Sequence, residues 1–286
     1  QLRARRGNHE GLRAVLYAEF DVVIRAGHGA VFGLGLLEAV PEADVLAQVQ
    51  AQAAAGEVSG RANYVWGPVT ESVRLGRFGW KADAPDIEVQ AAAAFAGDMG
   101  LTSELFPTDD CTPEQTACIE GITGGEPEVP EKTFNRTVLY SRAVAVPVRR
   151  AADDPEVLRG KRLFRDLGCD GCHTPSHTTE GAALDEFNGQ LIWPYTDLLL
   201  HDMGPGLADN APVGGASGQE WKTPPLWGLG LNETVTGHER FLHDGRARGF
   251  AEAILWHGGE AEAAKEGFRL LPLSDREALI TYLADL

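Results

Sequence analysis

The sequence predicts a mainly α-helical protein, and three observations carry the prediction. Near the middle of the chain, Asp154-Pro155 reads as an N-cap followed by proline at the first helical position. Val157, Lys161, Phe164 and Leu167 then follow at helical spacing until Gly168 interrupts. At the C-terminus, Ser274-Asp275-Arg276-Glu277 has the form of a capping box, ahead of Leu279, Ile280, Leu283 and Leu286 at the same period with Tyr282 beside them. In the first half, the Ala-rich stretches 42–55 and 86–97 read as helices separated by Gly- and aromatic-rich loops. The expected organisation is an irregular, loop-rich helical region over 1–150 and a second helical domain over 151–286.

Composition narrows the function. The 286 residues include 42 acidic and 25 basic side chains, a formal net charge of −17. Such a surface repels phosphate backbones, so no nucleic-acid partner is expected. A basic partner protein suits it better, although acidity that serves only solubility explains the count equally well. No apolar run approaches the ~18–20 residues that span a bilayer, so no transmembrane segment is expected. Gln1-Leu2-Arg3-Ala4-Arg5-Arg6 has neither an initiator Met nor the apolar core of a secretory signal, and reads as a processed or incomplete start.

The chemistry sits in Cys169-Asp170-Gly171-Cys172-His173. A bare Cys-x-x-Cys fits a redox dithiol or half of a zinc site, but the adjoining histidine changes the reading. In this pattern two thiols add to haem vinyl groups and the next residue supplies an imidazole to the iron. Zinc needs a second pair at metal spacing, whereas Cys111 and Cys118 stand seven apart. A thioredoxin-like dithiol would end a strand, and this one follows a helix. One covalently bound haem c is therefore expected, with His173 as proximal ligand. The flanking helices then look like the first and last helices of a class I cytochrome c, which cross closely on a small residue and an aromatic. Gly160 and Phe164 against Tyr282 and Leu283 match that crossing.

The face opposite His173 decides the function. Candidates come from Met99, Met203 and the histidines at 9, 28, 177, 201, 238, 243 and 257. Phe250, Ala253, Ile254 and His257 share one face of a helix expected over 247–257, which Gly258-Gly259 ends, so His257 leads and Met203 is the runner-up. A core histidine bonded to a backbone carbonyl is the competing reading of His257. His177 is too near His173 in sequence to cross the ring edge. His243 and Arg246, in Leu242-His243-Asp244-Gly245-Arg246, are expected to hold a turn or to contact a haem propionate. Trp80, Trp193, Trp221, Trp227 and Trp256 offer electron-hopping stations, with ordinary core packing the commoner role. Gly33-x-Gly35 lacks the third glycine of a dinucleotide fingerprint and reads as tight packing. Cys111 and Cys118 fit a disulfide in a polar loop, and 121–130 reads as a surface linker. A disulfide and c-type haem both suit an extracytoplasmic, periplasm-like compartment.

Several ordered strings resemble the bacterial di-haem oxidoreductase family, which is related to the di-haem cytochrome c peroxidases and the methylamine-utilisation di-haem enzyme. They are GLGLLEAVPEADVLA (33–47), SGRAN (59–63), LGRFGWKA (75–82), GDMGLTSELFP (97–107), DLLLHDMGPGLAD (197–209), EWKTPPLWGLGL (220–231) and FLHDGRARGFAEAILWHGGEA (241–261). In those relatives the helix after the His-Asp-Gly turn carries the distal ligand of the C-terminal haem, which places His257 in that role here. The resemblance also favours helix over strand for 131–148. It implies a second haem at an earlier Cys-x-x-Cys-His, which this sequence does not contain. The Asp-rich run expected before Ser59-Gly60-Arg61 is replaced by Gln50-Ala51-Gln52-Ala53-Ala54-Ala55-Gly56. Either an N-terminal haem domain is absent from this polypeptide or the chain is a single-haem member. No residues for peroxide chemistry stand out, so catalytic residues stay unassigned. The expected function is electron transfer to a redox protein, a cytochrome or a larger redox complex. Peroxidase-like action with a separate second haem and a structural role in a redox assembly are the rivals.

Overall fold

Short helices and small hairpins alternate along the chain, which fits the mainly helical expectation. The computed structural model describes residues 31–109 and 111–286; His9, His28 and the first six residues lie outside them. Helix α1 covers Leu34–Glu38 and α2 Glu42–Ala55, followed by the antiparallel hairpin β1 (Tyr64–Gly67) and β2 (Ser72–Leu75). Helix α3, Ile87–Ala93, starts from an Asp86 cap whose carboxylate accepts from the Val89 N–H at 2.9 Å. It ends earlier than 86–97 predicts, because the backbone turns to π geometry over Ala94–Asp98. Helix α4, Thr116–Ile119, sits in the loop closed by a Cys111–Cys118 disulfide. Helix α5, Glu131–Ala143, takes the ambiguous segment.

The second half begins with α6, Pro155–Asp166, capped by Asp154 as the sequence suggests. Three small antiparallel ladders follow. They pair β3 (His177–Thr178) with β4 (Leu191–Ile192), β5 (Leu200–Asp202) with β6 (Glu220–Lys222), and, after helix α7 (Asn232–Thr236), β7 (Arg240–Phe241) with β8 (Ala247–Arg248). The last helices are α8 (Phe250–Trp256), α9 (Glu262–Leu270) and α10 (Leu273–Asp285).

Two sequence expectations need correction here. The helix foreseen over 247–257 starts only at Phe250. Ala247 and Arg248 instead pair with β7 around the His243-Asp244-Gly245 turn. Gly249, at φ 117, makes the break in a conformation that L side chains rarely adopt. The capping box at Ser274 does not form either. Pro272 takes the N-cap position, and its carbonyl accepts from Asp275 N–H (3.0 Å) and Arg276 N–H (3.1 Å), so the helix starts two residues early. Asp275 is left to pair with Arg159 of α6.

Two apolar clusters organise the packing. One gathers Leu37, Val45, Phe78, Ile87 and Val138 with Leu198, Leu199 and Trp227; Gly33 and Gly35 pack beside it, against Trp227 and Phe187. The other gathers Val157, Phe164, Tyr195, Phe250, Leu279 and Tyr282. Its centre is the α6–α10 crossing. A Cβ on Gly160 would meet Tyr282 Cβ at 2.6 Å and the Ala278 carbonyl closer still, so glycine is what permits the approach. The Phe164 and Tyr282 rings fill the groove edge to face, 5.6 Å between centroids. Asp285 at the end of α10 accepts from Arg149 Nε (2.7 Å) and from the Arg150 and Ala151 N–H groups (3.1 and 2.6 Å). That carboxylate ties the C-terminus to the entry into α6. Among the described residues, no helix is long and apolar enough to cross a membrane.

Candidate haem site

Helix α6 delivers the cysteine motif. Its C-cap is Leu167, Gly168 turns the chain at φ 74, and a single 3₁₀ turn over Cys169–Gly171 follows. The His173 N–H then bonds the Cys169 carbonyl at 3.0 Å, so both thiols and the imidazole project from one tight loop. Burial pushes the Cys169 thiol up to about 12 and raises Cys172 as well, with Asp170 beside Cys169 adding to the effect there. At neutral pH both stay thiols, which counts against a reactive redox dithiol.

The two imidazoles proposed for the iron share one design. His173 donates from Nδ1 to the Tyr195 carbonyl at 3.0 Å, and His257 donates from Nδ1 to the Ala253 carbonyl at 2.8 Å. A carbonyl can only accept, so each bond fixes the proton on Nδ1 and leaves Nε2 with its lone pair. Burial, with the proximity of His257 adding to it, drives the His173 pKa down to about 4. Burial lowers His257 too, against the pull of the Ala253 carbonyl. Both rings are therefore neutral, and near enough for a charge on His257 to disfavour a charge on His173. Each ring is half-buried. Two free thiols and two neutral imidazoles whose Nε2 keeps a lone pair are a donor set that fits a covalently attached haem. The carbonyl bond of the core-histidine reading is present at His257, and the same bond would orient the ring as a ligand.

The backbone that presents the Tyr195 carbonyl is itself unusual. Tyr195 and Leu198 have φ values of 56 and 62, left-handed for side-chain-bearing residues. The bend between them aims several groups at the motif: the Asp197 N–H bonds the Cys172 carbonyl at 3.1 Å, and the Thr196 carbonyl receives His177 Nε2 at 2.7 Å. His177 is thus a satisfied core histidine, as its closeness to His173 implies.

Sequence reasoning missed His201. Its side chain is 2% exposed, with Nε2 donating to Asp197 Oδ2 and Nδ1 to Glu260 Oε2, both at 2.9 Å. Cys172 Sγ lies 3.4 Å from the same Nδ1. Burial opposes a charge here, but the bonds to Asp197, Cys172 and Glu260 outweigh it and hold the imidazolium up to about 12. Glu260 moves the other way, down to about 2, because the His201 bond outweighs its own burial. Gln52 of α2 completes the group, donating from Nε2 to Asp197 Oδ2 and the Gly171 carbonyl, each at 2.8 Å. The only sequence signal was the unassigned histidine in DLLLHDMG.

Other expected residues fall around this core. Met203 borders the segment after His257, its carbonyl 3.1 Å from where a Gly258 Cβ would stand. His243 stacks on Trp221, 3.6 Å between centroids at 13°, while Lys81 Nζ stands 3.6 Å over the same ring and so takes the opposite face. Arg246 pairs with Asp244, bonds the Gly206 carbonyl and lies 4.7 Å over the Trp256 ring. Trp227 is core, whereas Trp193 and Trp256 are partly exposed.

Comparison with known proteins points to a haem family. Residues 5–286 match the family described as "Di-haem oxidoreductase, putative peroxidase". No curated protein matches the chain. Among solved structures it is similar to a Kuenenia stuttgartiensis hydrazine synthase, determined under 20 bar of xenon, at 20% identity and a TM-score of 0.36. That match covers 55% of this chain and 56% of the other, a likeness too distant to bear on fold or function. With nearly the whole sequence matched, the chain belongs to the di-haem oxidoreductase family.

Proposed function

We propose that this chain binds one haem covalently through Cys169 and Cys172, between His173 and His257, and relays electrons between a redox partner and a second haem site. The observation that carries the reading is the matched pair of imidazoles, each with Nδ1 tied to a carbonyl and Nε2 left as a ligand. Attachment adds each S–H across one vinyl C=C, sulfur to one carbon and hydrogen to the other, with nothing released. Haem supplies one-electron chemistry when bound, and two imidazole ligands favour a low-spin, six-coordinate iron suited to transfer over peroxide binding. The protein's share is to keep both rings neutral, fix their tautomers and hold the thiols protonated. His243 and Arg246 are proposed to stand near the propionates, and 151–286 to be a class I cytochrome c-like domain.

An extracytoplasmic location is proposed as well, supported by the Cys111–Cys118 disulfide. The acidic surface suits a basic redox partner. The test is intact-mass measurement with visible and EPR spectra of the parent and His257→Ala. One haem mass, a low-spin parent inert to cyanide, and a high-spin variant are expected. A high-spin parent that turns over peroxide would favour the peroxidase rival instead, and two haem masses would sink the single-haem reading.

A further inference from the structure

We infer that His201 is a positioning residue that sets the gap between the two iron-facing imidazoles, by tying the segment after His257 to the segment before His173. The inference deepens the proposed function and rests on His173 and His257 being the facing pair.

The connection is short and runs through side chains. Cys172 directly precedes His173, and its sulfur touches His201 Nδ1 at 3.4 Å. Glu260 follows His257 by three residues, and its Oε2 bonds that same nitrogen at 2.9 Å. On its other edge His201 holds Asp197, whose main-chain N–H bonds the Cys172 carbonyl. One ring therefore bridges both sides of the site. Glu260 is also the anchor of the distal segment, accepting from Ser59 N–H (2.8 Å), Ser59 Oγ (3.0 Å) and Asp202 N–H (3.2 Å). A Cβ on Gly259 would stand 2.6 Å from the Gly204 nitrogen, so the same turn lies close against Gly204.

The bridge is rigid for two reasons. Carboxylates face both ring nitrogens, so both must carry hydrogen; a neutral ring would set a lone pair against an anion. A planar imidazolium held at both ends also has no rotamer left to explore, unlike a lysine in the same place. Asp197, fully buried, keeps the cation from leaving. A histidine that only stitched β5 to its neighbours would need neither the sulfur contact nor a partner beside His257.

The test uses the haem-bearing protein and four variants: Glu260→Ala, Glu260→Gln, His201→Gln and His257→Ala. Glu260→Ala should keep its covalent haem by mass, gain a high-spin fraction and bind cyanide at least tenfold faster than the parent. Glu260→Gln should fall between, since its amide still accepts from Ser59 and Asp202. His201→Gln, where it folds, should match or exceed Glu260→Ala. If Glu260→Ala stays low-spin and inert to cyanide while His257→Ala opens the site, the positioning role is overturned and the ligand assignment stands. If His257→Ala leaves the spectrum unchanged, the ligand assignment itself falls, and this inference with it.

Discussion

Substituting Gly160→Ala sets two terms against each other. Alanine is the better helix former by about 1 kcal/mol, a gain on the folded side. Against it, the new methyl would sit 2.6 Å from Tyr282 Cβ and 2.8 Å from the Ala278 carbonyl carbon, where carbon atoms normally stand about 3.5–4.0 Å apart. Helices α6 and α10 must separate by roughly 1 Å, a gap that forfeits a quarter to a half of each contact across it. The contacts at stake include Phe164 and Tyr282, both buried and packed ring to ring. Overpacking of this kind costs about 1–3 kcal/mol, and the lost contacts add to it, so the net expectation is about 2 kcal/mol of destabilisation. For a chain of this size that lowers the melting temperature by roughly 4–8 °C. Thermal and urea melts followed by far-ultraviolet circular dichroism measure it. A melting temperature equal to or above the parent's would show that the crossing yields freely and that helix propensity decides.

Three further outcomes follow from the same structure. Asp285→Asn keeps the shape but removes the charge that holds Arg149 and two backbone amides in a nearly buried place; about 2 kcal/mol should be lost in urea melts, and an unchanged midpoint would refute the tie. The Glu260 carboxyl is depressed to about 2, so it supports the fold above the ordinary carboxylate range and loses that support as pH falls toward 2; the raised His201 instead contributes fully below its ordinary value of 6.5 and loses its contribution as pH climbs toward 12. Urea midpoints at pH 6 and 3 should therefore drop further for the parent than for Glu260→Gln, by on the order of 2 kcal/mol, and parallel drops would contradict the shift. Replacing Cys111 and Cys118 together by serine frees a short loop and should cost about 2 kcal/mol by melting, with pyridine haemochrome content unchanged; a loss of haem would link that loop to the site.

The parts legible in the sequence were those governed by near neighbours. Asp154-Pro155 starts a helix because cap and proline act within one turn, and Cys169-x-x-Cys172-His173 shows itself because its residues stand at a local spacing. Gly160 could be matched to Tyr282 because both lie on strongly periodic helices. The start of α8 was misplaced because periodicity cannot see Ala247–Arg248 pairing across a turn to Arg240–Phe241. Ser274 looked like a cap because its own side chain suits the role, while the deciding group was the Pro272 carbonyl behind it. His201 was invisible for a stronger reason. Its meaning lies in partners 4 and 59 positions away, and nothing about a lone histidine in a loop announces them.

The same long-range bonds bear on what the first half of the chain does for the site. Gln52 belongs to α2, yet its amide meets the Gly171 carbonyl and Asp197 Oδ2, and its own oxygen accepts from the Gly60 N–H at 2.8 Å. Ser59 gives two hydrogen bonds to Glu260, and Arg61 pairs with Glu220 of β6. The segment 52–61 thus contacts the proximal loop at Gly171, the buried acid at Asp197 and the distal turn at Glu260. Each of those groups makes hydrogen bonds that residues 151–286 alone would not supply, and for the buried Asp197 carboxylate the loss is costly. The string SGRAN, which sequence alone marks only as a point of resemblance, therefore acts physically on the candidate site, bracing it at Glu260 through Ser59.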